Sequence, residues 1–324
     1  MAAILGPILG ASFAQNFGWR WLFWVNMPLG IIALGAVIIW FPSKSSQNTR
    51  PFNWVALTLF SLFMTSLLVL LTIPTLPLPK DLIVGITILF LCSFVGLFYS
   101  LKNKVKVAFF EFELLKNPIF RFSALANFAS GIVLYGSIAN LPQYVEFTLL
   151  KSVNQAGFTV MFGALGWVLG AVVVGKTVHK FGFRKEAITG GLLLTMGSAL
   201  LTSRPESLII CALSQGLLGF GMGVLASSTL VLSQNTASRI NIGAATSGIQ
   251  FSRSLGASIG VNIFALIFSA VEQRSETSLH GEGFSAGFLF LTISASIATI
   301  FCIGLPRSNT LEFDSRADQL LENS

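Results

Sequence analysis

Apolar runs of about twenty residues recur through almost the whole chain, at 20–41, 53–73, 82–101, 119–142, 155–175, 186–203, 207–233, 244–270 and 284–305. A helix rises 1.5 Å per residue, so runs of this length cross a hydrocarbon layer about 30 Å thick. No water is present there to satisfy backbone polar groups, which leaves helices as the spanning form for such segments. The sequence therefore predicts an all-α, polytopic membrane helix bundle. The opening run, 1–14, reaches only about 21 Å as a helix and does not cross alone, so about 9–10 spans are expected, counting it as partial.

Composition supports that solvent. Charged residues make up 10% of the chain, against about 25% in soluble domains, and mean hydropathy is +0.78. Cys92, Cys211 and Cys302 all lie inside apolar runs, with no spacing that points to a metal or a disulfide. Neither a cofactor nor a metal is expected. The net charge of +7 does not mark a nucleic-acid surface, because its basic residues sit in short loops between apolar runs. The expected surroundings are a lipid bilayer.

Loop charge also orients the chain. If loops alternate sides, 42–52, 102–118, 176–185, 234–243 and the tail from 306 share one face, which holds fourteen of the 20 basic residues with Arg121 counted beside it. The opposite face holds Arg20, Lys80, Lys151, Arg204 and Arg274, and Arg253 is left inside a span. The richer face is expected to be cytoplasmic, and the C-terminus with it.

Two catalytic patterns occur and fail on context. Gly170 to Thr177 fits G-x-x-x-x-G-K-T, but a phosphate loop follows a strand and leaves its amides free, whereas these residues finish an apolar run. Gly283-Phe284-Ser285-Ala286-Gly287 and Gly256-Ala257-Ser258-Ile259-Gly260 fit the G-x-S-x-G elbow of serine hydrolases, which needs a strand-to-helix turn and a histidine in reach. His280 lies in the same short loop as Ser285, so an intramembrane serine hydrolase stands as an alternative. The expectation is a protein that is not an enzyme.

Along 244–270, Ala244, Gly248, Ser252, Gly256 and Gly260 recur every fourth residue. At 3.6 residues per turn they form one slowly winding ridge suited to close helix crossing. Arg253 sits beside it, and an arginine inside a span faces a cavity or a partner rather than lipid. Two roles stay open for it, an intramembrane functional or gating charge and a side chain snorkelling to the basic-side interface about one and a half turns away. Asn127, Asn140, Gln250 and Asn262 are the other deep polar groups, and interhelical hydrogen bonding is their default.

The stretch GPILGASFAQNFGWRWLFWVNMPLG, from Gly6 to Gly30, resembles the junction of the fifth and sixth spans of drug:proton antiporters in the fourteen-span branch of the major facilitator superfamily. The antiporter signature ends in G-P-x-x-G-G, and Gly6, Pro7 and Gly10 keep it up to the last glycine, where Ala11 stands. Phe251, Arg253, Gly256 and Gly260 fit the family's F-x-R-x-x-G-x-x-x-G. Gly175, Gly182, Arg184 and Lys185 resemble its cytoplasmic loop, with His179 where the family often carries Asp; that exchange implies a weakened or pH-sensitive charge network. Ser214 to Gly223 resembles R-x-x-Q-G-x-G with Ala212 at the arginine position, so the proton-relay role is not carried over; its glycines are read as packing positions, with direct ligand contact the alternative. Leu141 to Glu146 resembles the outward end of the second half's first helix, and Glu146 is read as a solvated carboxylate, with a coupling site the alternative.

The resemblance implies an arrangement for the chain. Residues 1–41 are the last two spans of an N-terminal six-helix half, 42–101 an inserted pair, 102–118 a cytoplasmic linker, 119–305 the C-terminal six-helix half and 306–324 a tail. The linker is either a plain loop or an amphipathic interfacial helix. It further implies proton-coupled export of lipophilic, often cationic small molecules across the cell membrane, with protons as partners. A signal peptide is the competing reading of the start, but it lacks a basic leader and carries Gly6-Pro7 in its apolar stretch. About four spans that precede the signature in the family are then expected to be missing, and the chain is expected not to transport as an isolated polypeptide. A non-transporting membrane fragment is the remaining alternative.

Overall fold

The computed structural model describes residues 18, 20–40, 54–72, 79–102, 112–237, 241–272 and 281–306. These residues are helical apart from short connections. The helices are α1 (Arg20–Trp40), α2 (Trp54–Thr72), α3 (Lys80–Lys102), the single turn α4 (Phe112–Lys116), α5 (Pro118–Phe147), α6 (Val153–Phe181), α7 (Phe183–Thr202), α8 (Leu208–Thr236), α9 (Ile242–Glu272) and α10 (Gly281–Ile303). Each expected long span is found as a helix. Several run further than their apolar cores, because polar residues at the interface continue the helix instead of ending it. Within the 102–118 linker the described part is α4 and Asn117, whose side-chain oxygen accepts from the Ile119 amide (2.9 Å) and caps α5 with Pro118 in its first turn.

Eight of these helices are long and apolar enough to cross a membrane. The ninth long one, α7, falls below that measure because it opens on Phe183-Arg184-Lys185-Glu186 and carries three glycines. It still packs as a full member of the bundle, burying Ala187, Gly190, Gly191, Leu194, Gly197, Ser198 and Leu201. The protein is a multi-pass membrane protein.

The chain divides into two compact units, 1–51 and 52–324. In the first, Gly18 adopts φ +86° and its carbonyl accepts from the Trp21 amide (3.2 Å), opening α1. α1 carries Pro28 inside and is apolar around its circumference.

In the second unit α5–α10 form one bundle whose register follows from glycine contacts. Gly163, Gly166 and Gly170 of α6 meet Gln215, Gly216 and Phe220 of α8 in the same order, so these helices run parallel. Gly131 and Ile132 of α5 meet Arg253 and Gly260 of α9, again parallel. α8 turns another face, Gly221, onto Gly190 and Leu194 of α7, and Gly136 of α5 meets Leu291 of α10, both antiparallel. At many of these sites an added Cβ would strike a facing backbone carbonyl, as at Gly166, Gly170, Gly219, Gly223 and Gly256. Small residues thus bring backbones into contact where apolar side chains alone supply no drive in lipid.

One end of the bundle is closed by aromatic packing. Tyr144 sits 5.5 Å from Phe284 and 5.6 Å from Phe288, Phe264 lies 5.5 Å from Phe288, and the Tyr144 hydroxyl donates to the Pro205 carbonyl (3.1 Å). The pair α2–α3 packs through Phe63 and Phe90 (5.1 Å). It leans on α9 through Phe60 and Phe251 (5.3 Å) and through Thr72, which donates to Asn262 Oδ1 (3.0 Å).

Candidate functional site

α5 is buried on nearly all sides, and Tyr135 stands on the stripe that is not. Trp167, at the middle of α6, and Arg253 of α9 flank it. The Arg253 guanidinium carbon lies 5.4 Å from the centroid of the Trp167 ring, and its Nη2 donates to Gln250 Oε1 (3.0 Å). The Tyr135 ring meets Trp167 edge-on, with centroids 6.4 Å apart and planes at 83°. Arg253 stands three turns into α9, about 16 Å along its axis. The side chain runs sideways onto Trp167.

Among the described residues, Arg253 is the one charged side chain more than about two turns from a helix end. Asp81, Glu186 and Glu282 lie in the first turns of their helices, Glu146 and Glu272 at helix ends, and Glu206 between helices. An arginine at this depth costs at least about 2.5 kcal/mol against lipid. By that cost the face shared by α5, α6 and α9 is expected to border a cavity or other protein rather than lipid.

The ridge on α9 places this charge. Gly256 and Gly260 are buried against Phe128 and Ile132 of α5, and Gly248 against the Phe120 ring. Gly131 faces the carbonyl of Arg253 itself. The ridge glycines are contact residues, and Arg253 occupies the neighbouring, open side.

Residues 1–261 match the model of the Major Facilitator Superfamily. The chain belongs to the major facilitator superfamily. It is 27% identical over 276 residues to the multidrug transporter protein MdtP of Bacillus subtilis, covering 83% of this chain and 50% of that protein. To multidrug resistance protein 3 of the same organism it is 24% identical, covering 82% and 53%. To the multidrug efflux pump LfrA of Mycolicibacterium smegmatis it is 28% identical, covering 82% and 53%. The chain spans about half the length of these curated relatives.

The remaining sequence-derived positions in this facilitator fall in three places. Gly6, Pro7 and Gly10 lie outside the described residues. Gly175, exposed and with open space around it, and His179, also exposed, are in the last turns of α6. Gly182 makes the whole connection to α7 at φ +80°, a conformation that favours glycine. Arg184 then reaches back to donate from Nη2 to the Ile303 carbonyl at the end of α10 (2.7 Å), while Lys185 is exposed. Gly182 and Arg184 therefore tie three helix ends together, and His179 and Lys185 stand outside that tie.

The catalytic patterns are housed in helix. Gly170 to Thr177 lies wholly within α6, Gly283 to Gly287 in α10 and Gly256 to Gly260 in α9, so none forms a phosphate loop or a nucleophile elbow. His280 lies outside the described residues. Of the deep polar groups, Asn127 bridges helices by donating to Thr229 Oγ1 (2.8 Å), and Asn140 bonds the Gly136 carbonyl of its own helix (2.8 Å). Gln215 is fully buried against Gly163, and neither amide atom has a partner among the described residues.

Trp167 and Tyr135 were absent from the sequence-derived set. A signal existed: tryptophan and tyrosine gather at the two membrane interfaces, and these two stand at mid-span.

Proposed function

We propose that this chain contributes to a proton-coupled exporter of lipophilic small molecules, of the fourteen-span drug:proton antiporter branch, in the cell membrane with its C-terminus in the cytoplasm. α5–α10 are its C-terminal six-helix half, α2–α3 the inserted pair, and 102–118 the linker between them. The observation that carries the reading is the Arg253–Trp167–Tyr135 cluster, a charged and aromatic group held at mid-depth in a chain of this family. Facilitators place substrate near the bilayer midplane between two helical repeats that rock about it. The names of MdtP, multidrug resistance protein 3 and LfrA support multidrug efflux.

In this reading Arg253 lines the path, and Gly256 and Gly260 set its height. Gly175, His179, Gly182, Arg184 and Lys185 form the cytoplasmic gating loop, with Arg184 as its structural anchor. Gly6, Pro7 and Gly10 belong to the antiporter helix that seals the junction between the halves. The resemblance adds cationic compounds to the substrates, which would take parts of the path away from the positive charge of Arg253.

The test is dye accumulation in everted vesicles from cells expressing the protein from its own locus. Energised uptake of a lipophilic dye that collapses with a protonophore supports the proposal, as does a severalfold loss in Arg253→Ala at equal membrane abundance. Uptake indifferent to the proton gradient, or equal in vesicles lacking the protein, overturns it.

A further inference from the structure

Arg253 is held on two sides among the described residues. One face of its guanidinium lies on Trp167, and one N–H is given to Gln250. Its other donors meet no acceptor among the described residues, and neither does the Tyr135 hydroxyl on the same open stripe. No described carboxylate is near enough to neutralise the charge, since all lie at helix ends or between helices. A cation at mid-membrane depth without a counterion is costly, and guanidinium matches a planar oxyanion through paired, parallel N–H bonds. Trp167 and Tyr135, edge to face beside it, offer aromatic surface to a ring attached to that anion.

We propose that Arg253, Trp167 and Tyr135 form a binding site for an aromatic carboxylate or sulfonate. Arg253 takes the anion, Tyr135 donates a second hydrogen bond and Trp167 packs on the ring. The same positive charge acts against cationic aromatics at this position, because a cation placed there meets a like charge in a medium that screens it poorly. The site thus selects by charge sign within an otherwise permissive apolar path. Lipid headgroups are not proposed as the anion, because the cluster lies about three turns from the start of α9 and at the middle of α6. This specificity rests on the proposed transport path for its purpose, but the site itself is read by binding.

The test compares three ligands of one shape, 2-naphthoate, 2-naphthamide and 2-naphthylmethylammonium, binding to the protein in nanodiscs of zwitterionic lipid. Naphthoate is expected to bind at least about tenfold more tightly than the ammonium, the amide falling between. Arg253→Gln removes that preference, with an unchanged circular dichroism spectrum and elution position showing that the variant is folded. Trp167→Leu weakens all three ligands severalfold and leaves their order unchanged. Ammonium binding as tight as naphthoate in the parent protein overturns the proposal, and so does a charge preference that survives Arg253→Gln. Because no gradient or turnover enters this measurement, a protein that fails to export dye can still show the preference, and an exporter can lack it.

Discussion

Gly170 and Gly175 lie five residues apart in α6, and the same substitution is expected to act on them with opposite sign. An added Cβ at Gly170 would strike the Phe220 carbonyl and come within 3.1 Å of the Val224 amide nitrogen and 3.2 Å of Gly223 Cα. All three are backbone atoms of α8 and none can rotate aside. Gly170→Ala must push the two helices apart by most of an ångström, loosening the neighbouring contacts of Gly166, Gly219 and Gly223. Overpacking of this kind costs about 1–3 kcal/mol. At Gly175 nothing lies within 4 Å, so alanine meets open space and recovers about 0.5–1 kcal/mol by restricting the unfolded backbone. The backbone gain is common to both variants, so they should differ by the overpacking cost, roughly 1–3 kcal/mol. Reversible unfolding in mixed micelles of rising dodecyl sulfate fraction, followed by circular dichroism, measures each change. Equal stabilities, or Gly170→Ala more stable than Gly175→Ala, would refute the parallel α6–α8 seam. A phosphate loop would give another outcome, loss of nucleotide binding in both variants, and nucleotide is expected not to bind either.

Three further outcomes follow from named contacts. Asn127→Ala and Thr229→Val should couple in a double-mutant cycle by about 0.6 kcal/mol and no more than about 1.7; zero coupling would deny the α5–α8 bridge. Arg184→Ala frees the Ile303 carbonyl and should cost about 1 kcal/mol, seen as faster amide exchange confined to the last turn of α10 and the start of α7. Cysteines replacing the exposed Lys151 and Lys185, in a Cys92→Ala background, should react with an impermeant maleimide from opposite sides of sealed vesicles, Lys185 from the cytoplasmic side. Labelling of both from one side would remove the orientation.

The spans were legible because crossing a hydrocarbon layer demands a length and a composition that leave little choice. Helix ends were less so: α5 runs through Pro142 to Phe147 and α6 through His179 and Lys180 to Phe181, since polar residues at an interface cost nothing that would stop a helix. The ridge of Gly248, Gly256 and Gly260 showed in its period, but its partner did not. A four-residue repeat states that a helix comes close to another, while the identity of that other, here α5 at Phe128 and Ile132, depends on the packing of the whole bundle. Arg253 was visible by its cost. Trp167 and Tyr135 lie 86 and 118 residues away in sequence, and nothing local marks them as its neighbours except their distance from the interfacial belts.

The packing seam and the charged cluster are one arrangement. Arg253 presents its carbonyl to Gly131 and its guanidinium to Trp167, so the glycine that lets α9 sink onto α5 also sets how far the side chain must reach past Tyr135 to α6. Replace Gly131 by a larger residue and α9 moves outward, taking Arg253 from the ring before any residue of the site has changed. The backbone contacts on both sides of the cluster, α5 with α9 and α6 with α8, leave the charge little freedom to follow a ligand. Under the proposed function this rigidity has a use. A half that rocks as a body carries its binding groups intact from one access state to the other, and the differential contacts that drive rocking arise where this face meets the rest of the transporter, not by rearrangement within the six-helix bundle.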